Sequence, residues 1–358
     1  MLVCLLAMLA TTEGGAPARP SAFLAATKEG GAPARTFLDA APKLGLGLAA
    51  LGRPGYINLG RDAELGADRT PAAMERRAHE VLDSAYSAGV RYFDCARSYG
   101  ESERFMSSWL SSRDGGEEVL VGSKWGYRYT AGWKVDNGGE PHEVKDHSLG
   151  HLQSQTDETV AYLGPQLCLY QIHSATLESG VLDDAGVLAE LRRLKTERGW
   201  RIGLSVSGPG QADTIRVALS LDPPLFDCVQ ATFNLCEQSV GPALAEAYRA
   251  GMQVIVKEAM ANGRLLEAGQ PATESVRAVA GKLGVPPDAL CLAAVMQQGF
   301  SPMVLSGATT VEQIASNARA LEIVSGGKLE EATLQELMRA CRMEAGEYWA
   351  ERGRLAWN

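Results

Sequence analysis

Arg91-Tyr92-Phe93-Asp94-Cys95-Ala96-Arg97-Ser98-Tyr99-Gly100-Glu101-Ser102-Glu103 begins as a short apolar strand, breaks into a polar loop and opens a helix. Glu101 and Glu103 fall in the first turn of that helix, where the macrodipole favours acids. A carboxylate, Asp94, closes the strand, and a phenol, Tyr99, follows it in the loop. In a parallel α/β protein, side chains just past the carboxyl end of a strand face the ligand crevice. Asp94 and Tyr99 are therefore expected to meet in a pocket. An ordinary phenol has a pKa of about 10, so acid–base work near neutrality calls for a cation beside it.

The same cadence runs through most of the chain. Strand-like runs occupy 44–51, 90–95, 119–125, 167–173, 201–207, 228–234, 253–259 and 303–307. Helical periodicity fills 73–88, 101–112, 148–163, 185–198, 211–221, 242–250, 274–283, 287–298 and 311–323, and a last helix is expected over 329–351. Eight strand–helix units within about 300 residues match the count and length of a (β/α)8 TIM barrel. An open doubly wound sheet is the alternative, because Gly45-Leu46-Gly47-Leu48-Ala49-Ala50 carries the letters of a dinucleotide fingerprint. No helix opens there, however; Leu51-Gly52-Arg53-Pro54-Gly55 follows.

The 358 residues divide into a leader at 1–41, one barrel domain at 42–325 and a C-terminal helix at 326–358 packed on the barrel. In the leader, Glu13-Gly14-Gly15-Ala16-Pro17-Ala18-Arg19 recurs as Glu29-Gly30-Gly31-Ala32-Pro33-Ala34-Arg35. Such small-residue repeats bury too little surface to fold alone, so a disordered leader is expected. A transit peptide is the sharper reading, which Glu13 and Glu29 weaken. The expected location is cytoplasmic, or an organelle such as a plastid if the leader is a targeting segment. A net charge of −9 argues against nucleic acid as a partner, and no apolar run reaches the roughly 18 residues of a membrane span. The seven Cys are scattered without a CxxC pair and read as reduced thiols.

If the strands close into a barrel, their ends converge. Lys124 ends the strand after that of Asp94, and His173 ends the next. Asp94, Tyr99, Lys124 and His173 then point at one place. In a dry mouth Lys124 would lower the pKa of Tyr99, Asp94 would hold Lys124, and His173 would orient a carbonyl oxygen while Tyr99 exchanged a proton with it. The group lacks an electron source, a strong nucleophile and a metal, so its natural partner is a hydride carrier.

These residues, with the YGxSE run from Tyr99 to Glu103, the QIH ending at His173, the strand Gly203-Leu204-Ser205, Gln230 and the stretch from Gly307 to Asn317, resemble the aldo-keto reductase family. The resemblance covers about 43–323 in register. It implies a TIM barrel, NADP(H) bound without a Rossmann fold (NAD(H) remaining open), and reversible reduction of a small-molecule aldehyde or ketone. It implies Asp94, Tyr99, Lys124 and His173 as the catalytic set, with Tyr99 the proton donor. Ser205 and Gln230 would hold the nicotinamide amide. Ala261, Asn262, Gly263, Arg264 and Leu265 would wrap the pyrophosphate, with Arg264 facing phosphate, and Gly307, Thr309, Gln313 and Asn317 would meet the adenosine end. Gly47 and Lys257 join the cofactor set.

Three positions depart from the family pattern. Val206 stands where an Asn is common, and Val256-Lys257-Glu258 replaces an aromatic that stacks on nicotinamide, which leaves Lys257 and Glu258 placed to pair. Between Gly307 and Ala318 no Lys or Arg is present to clamp a 2′-phosphate. In the long polar loop over 126–146, aromatics are expected to contact substrate: Trp125 at its base, Tyr127 and Trp133. His142, His147 and His151 lack a helical metal-binding spacing, and no metal site is expected. Two other functions remain open. One is a barrel lyase with Lys257 or Lys124 as a Schiff-base amine. The other is a nucleotide-binding, redox-sensing subunit with little turnover.

Overall fold

The computed structural model describes Leu38, Ala41 and residues 43–113 and 119–358. The leader expected at 1–41 lies outside the described residues, apart from Leu38 and Ala41. The described residues form ten strands: β1 (Leu44–Gly47), β2 (Tyr92–Asp94), β3 (Leu120–Trp125), β4 (Tyr127–Tyr129), β5 (Glu143–Lys145), β6 (Leu167–Ala175), β7 (Arg201–Val206), β8 (Cys228–Thr232), β9 (Gln253–Lys257) and β10 (Met303–Ser306). Eight of them close a parallel barrel in the order β1-β10-β9-β8-β7-β6-β3-β2. This is the expected TIM barrel, with β1 hydrogen-bonded to both β2 and β10. The remaining pair, β4 and β5, forms an antiparallel hairpin within the segment read as an irregular loop over 126–146. Alternation of Tyr127, Arg128 and Tyr129 over three residues is too short a signal to separate strand from loop.

The helices start where the side chains supply caps. α1 is the short turn Arg61–Leu65, and α2 (Pro71–Ser87) begins with Thr70 accepting from the amide of Ala73 and Pro71 at the first position. α3 (Ser102–Ser111) follows the Tyr99 loop, and α4 (Leu149–Leu163) is capped by Ser148. α5 (Ala185–Arg198) is capped by Asp184 and stops at Gly199, which sits in the left-handed region at φ 69°. α6 (Gln211–Leu219), α7 (Gly241–Arg249) and α8 (Pro271–Leu283) continue the outer ring. α9 (Pro287–Met296) is apolar on every side and buried from Ala289 to Met296, as expected of a helix enclosed by neighbours. α10 (Val311–Ser325) is capped by Thr310.

The single last helix expected over 329–351 is instead two, α11 (Glu331–Cys341) and α12 (Ala345–Gly353). At the break the amide of Met343 leaves the helical ladder and donates to the carbonyl of Cys236 at 3.0 Å. Tertiary pairing there overrides a sequence of good helix formers.

Side-chain parity divides the core. The larger cluster lies between strands and helices and takes Phe93, Val121, Trp125, Tyr170, Ile172, Val229 and Val256. The smaller cluster takes the alternate positions Tyr92, Leu169, Cys228, Ile255, Met303 and Leu305, which fill the barrel interior, and Leu38. The amide of Leu38 donates to the side chain of Gln253 at 3.0 Å. One step further along the same inward parity come Asp94, Lys124, Gln171, Gln230 and Lys257. The interior is therefore apolar at its amino end and polar at its carboxyl end.

Candidate active site

Asp94 is the hub of that polar layer and is buried. Its Oδ1 accepts from the Tyr92 hydroxyl at 3.1 Å, Gln171 Nε2 at 3.3 Å and Gln230 Nε2 at 3.0 Å. Its Oδ2 accepts from the Lys124 ammonium. Lys124 also donates to the carbonyl of Cys95 at 3.0 Å and to the Tyr99 hydroxyl at 3.3 Å. Both charges of this pair lie in the interior, and their bonds to further donors and acceptors offset the cost of removing them from water.

Tyr99 reaches the pair because its loop folds back under tight constraint. The amide of Tyr99 donates to the carbonyl of Ala96, and that of Glu101 to the carbonyl of Gly52 at 2.7 Å. A Cβ on Gly52 would lie 2.3 Å from the Tyr99 carbonyl oxygen, so this contact requires glycine. Gly100 sits at φ 60°, where a Cβ would lie 2.5 Å from the Gly52 carbonyl oxygen. Arg53 braces the loop from outside, donating to the Ser98 carbonyl at 2.9 Å and to Glu143 at 2.8 Å.

His173 completes the set. Its ring lies edge-on to Tyr99 with centroids 5.4 Å apart, and its Nδ1 is 3.3 Å from Ser98 Oγ. Tyr127 packs on its other side with centroids 5.0 Å apart. Burial, then the cations Lys124, Arg53 and Lys257, hold the imidazole well below its ordinary pKa, so it is neutral at pH 7.

The Tyr99 phenol behaves opposite to the sequence expectation. Burial pushes its pKa well above the usual range and the Asp94 carboxylate adds to this, while Arg53 opposes it. Lys124 was expected to lower that pKa, but burial and the Asp94 carboxylate outweigh it, so the phenol stays protonated.

A cleft of about 680 Å³, counting its open part, lies over this cluster. Gly47, Asp94, Tyr99, Gln230, Lys257, Asn262, Gly263 and Gly307 line it, as expected. Lys257 donates to Thr232 Oγ1 at 2.8 Å, and burial lowers its pKa to about 8. It makes no direct ion pair with Glu258, whose carboxylate is held by the Arg352 guanidinium, and acts on that carboxylate only through its charge at longer range. Backbone strain gathers at this rim: Ser174, Glu258, Ala261 and Asn262 all have φ between 50° and 59°.

Other expected residues lie elsewhere. Trp125 is fully buried among the barrel helices with its ring against His147, because it follows the inward Lys124 on a strand and must face outward. Trp133 packs on Phe105 and donates to the carbonyl of Arg69 at 2.6 Å. Arg264 pairs with Glu351 at 2.9 Å and covers the ring of Tyr348, and neither it nor the buried Leu265 lines the cleft. The turn at Asn262, at φ 59°, swings the chain away from the cleft before residue 264. Ala261 is buried, and Ser205 stands behind the cleft, accepting from the amide of Ser174 at 2.8 Å. Val206 is buried in the helix-side core.

Several cleft residues carried no recognisable signal. Tyr56 and Asn58 come from the long connection after β1. Asn358 exchanges backbone hydrogen bonds with Tyr56 at 3.0 Å in each direction. Trp357 stacks on His142 with ring centroids 4.1 Å apart, and the Arg53 guanidinium stands 4.8 Å from its centroid. The C-terminal segment, expected to pack on the barrel, also reaches the barrel mouth.

The residues suit an extended polar ligand. Beyond the first cleft is a second cavity of about 890 Å³, counting its open part, and Asn58, Met260, Asn262, Gly263 and Gly307 line both. Gln313 and Asn317 line the second. Oδ1 of the buried Asn262, at the junction, has no hydrogen-bond partner among the described residues. A buried acceptor left so is costly unless something donates to it. Among the described residues, no group of three His, Cys, Asp or Glu is placed to hold a metal ion.

A family model described as the Aldo/keto reductase family matches residues 43–330. Norsolorinic acid reductase B of Dothistroma septosporum is 31% identical over 77 residues, which span 21% of this chain and 19% of that protein. The chain thus covers about a fifth of that curated relative. Among solved structures, the holo form of an aldo-keto reductase from Bacillus halodurans superposes with a TM-score of 0.60 at 18% identity, over 85% of this chain and 94% of that one. The glycerol dehydrogenase of Gluconobacter oxydans gives 0.59 at 17%, over 80% and 91%. At these identities the structures speak for the shared fold.

Proposed function

The chain belongs to the aldo/keto reductase family, and from that premise we propose that it interconverts an aldehyde or ketone and the corresponding alcohol, with Tyr99 as the general acid and base. The observation that carries this reading is the Tyr99 hydroxyl 3.3 Å from Lys124 Nζ at the floor of a cleft. When bound, a nicotinamide dinucleotide supplies or accepts the hydride. Gly47, Asn262, Gly263, Gly307, Gln313 and Asn317 are the residues that would hold it along the groove. The family resemblance implies NADP(H) as that carrier.

The chain's own groups divide the remaining work. Tyr99, kept protonated by burial and Asp94, gives its proton to the carbonyl oxygen in reduction. The Lys124 ammonium, fixed by Asp94, stabilises the phenolate that the transfer leaves, in a site where desolvation strengthens the interaction. With the Ser98 hydroxyl donating to Nδ1, the neutral His173 carries its proton on Nε2 and offers it to the same oxygen. Tyr56 walls the cleft and excludes water, and Tyr127 covers His173 from outside it.

The test is to mix the purified protein with reduced carrier and a panel of aldehydes and ketones, following absorbance at the nicotinamide band. Turnover of at least one carbonyl compound supports the assignment. Its absence across the panel with both reduced carriers, despite saturable binding of either, supports the redox-sensing alternative instead.

A further inference from the structure

Resting on the oxidoreductase reading above, we infer that the far end of the groove selects a carrier with a free 2′-hydroxyl on its adenosine ribose, NAD(H), over the 2′-phosphorylated NADP(H). The first cleft holds Asp94 and Tyr99 and is therefore the reacting end. The second cavity continues from it through Asn58, Asn262, Gly263 and Gly307, and it is the end left for the adenosine half. The buried, unpartnered Oδ1 of Asn262 between them marks the path of a ligand that donates hydrogen bonds or brings water.

The charged groups lining that second cavity are Glu64, Asp288 and Arg277. Glu64, on α1, is locked in place: its two oxygens accept from Thr309 Oγ1 and Gln313 Nε2, each at 2.5 Å. These are two of the four positions expected at the adenosine end. An ionised carboxylate offers about four lone-pair sites, so Glu64 keeps capacity for a ribose hydroxyl. Asp288 is fixed likewise by Ser316 Oγ at 2.9 Å and Asn317 Nδ2 at 2.6 Å. Arg277 is the one cation among the lining residues, and it is engaged elsewhere. It donates to the Leu266 carbonyl at 3.1 Å, lies 3.7 Å from Glu274 and is exposed. A carboxylate accepting from a ribose hydroxyl favours the unphosphorylated carrier, whereas a 2′-phosphate is accommodated by an arginine. Here two fixed carboxylates would repel a phosphate that carries close to two negative charges.

The test is a fluorescence or calorimetric titration of the full-length protein with NADH and NADPH at low and high salt. NADH is expected to bind at least about tenfold more tightly than NADPH, with a gap that narrows in high salt, as screened repulsion requires. Glu64→Gln, which keeps the size and removes the charge, is expected to narrow the preference for NADH over NADPH by about fivefold or more, through tighter NADPH and weaker NADH binding. Asp288→Asn is an independent second arm with the same expected direction. Tighter binding of NADPH by the parent protein, or an unchanged ratio in both variants, overturns the inference and leaves the oxidoreductase reading standing. Failure of both carriers to bind overturns both readings.

Discussion

The Gln230 side-chain amide donates to Asp94 Oδ1 at 3.0 Å, joining groups 136 residues apart in sequence. Gln230 was expected to face the nicotinamide, and it does line the cleft, but its amide serves the carboxylate that anchors Lys124. Gln230→Leu therefore removes a charge-assisted bond and loosens the anchor. The variant is expected to lose about 1.5–3 kcal/mol of stability in a urea titration and to turn over at roughly a tenth of the parent rate.

Gly122 makes room for the same carboxylate. A Cβ there would lie 2.2 Å from the Tyr92 hydroxyl oxygen and 3.0 Å from the ring carbon that bears it. Gly122→Ala must therefore push Tyr92 off Asp94. Overpacking of this kind costs about 1–3 kcal/mol, and turnover should fall with it. Adding Tyr92→Phe removes the nearest clash, so the double variant should recover part of the lost stability, which a thermal melt would show.

The C-terminal segment should be sensitive to acid. Burial alone would raise the pKa of Glu258, but Arg352 and Lys257 outweigh it and lower that pKa from 4.5 to about 2. A carboxyl depressed in the folded state stabilises the fold above its unfolded pKa, and that stability drains away as pH falls toward the folded value. Arg352→Leu strands the carboxylate, and the loss should be about 2–3 kcal/mol at pH 7, below that of a fully buried pair. The difference between parent and variant should shrink as pH drops from about 4.5 to about 2. A difference that stays constant over this window would show that the pair contributes through packing alone.

The architecture was legible because each barrel strand is a short apolar run bounded by loop residues. All eight expected runs overlap observed barrel strands. Asp94, Lys124 and His173 could be grouped because barrel closure brings consecutive strand ends together without any local geometry being known. Strand parity could have corrected the misplacement of Trp125: adjacent to an inward Lys124, its ring had to face outward. Arg264 is different, since the left-handed turn at Asn262 that redirects it depends on packing beyond the loop. The roles of Arg352 and Trp357 were also hidden, because their partners Glu258, His142 and Arg53 lie about a hundred or more residues away. The protonated phenol was missed because the nearby cation was weighed without the cost of desolvating the phenolate and without the direct effect of Asp94 on it.

The proposed mechanism is tested most directly by Tyr99→Phe, which keeps the ring and deletes only the hydroxyl beside Lys124. Single-turnover rates of carbonyl reduction and dissociation constants for the reduced carrier should be measured on the same preparations. A fall in rate of about a hundredfold or more, with carrier affinity within about twofold of the parent, is the expected result. A variant that reduces the same compound at the parent rate would contradict the assignment of Tyr99 as the proton donor.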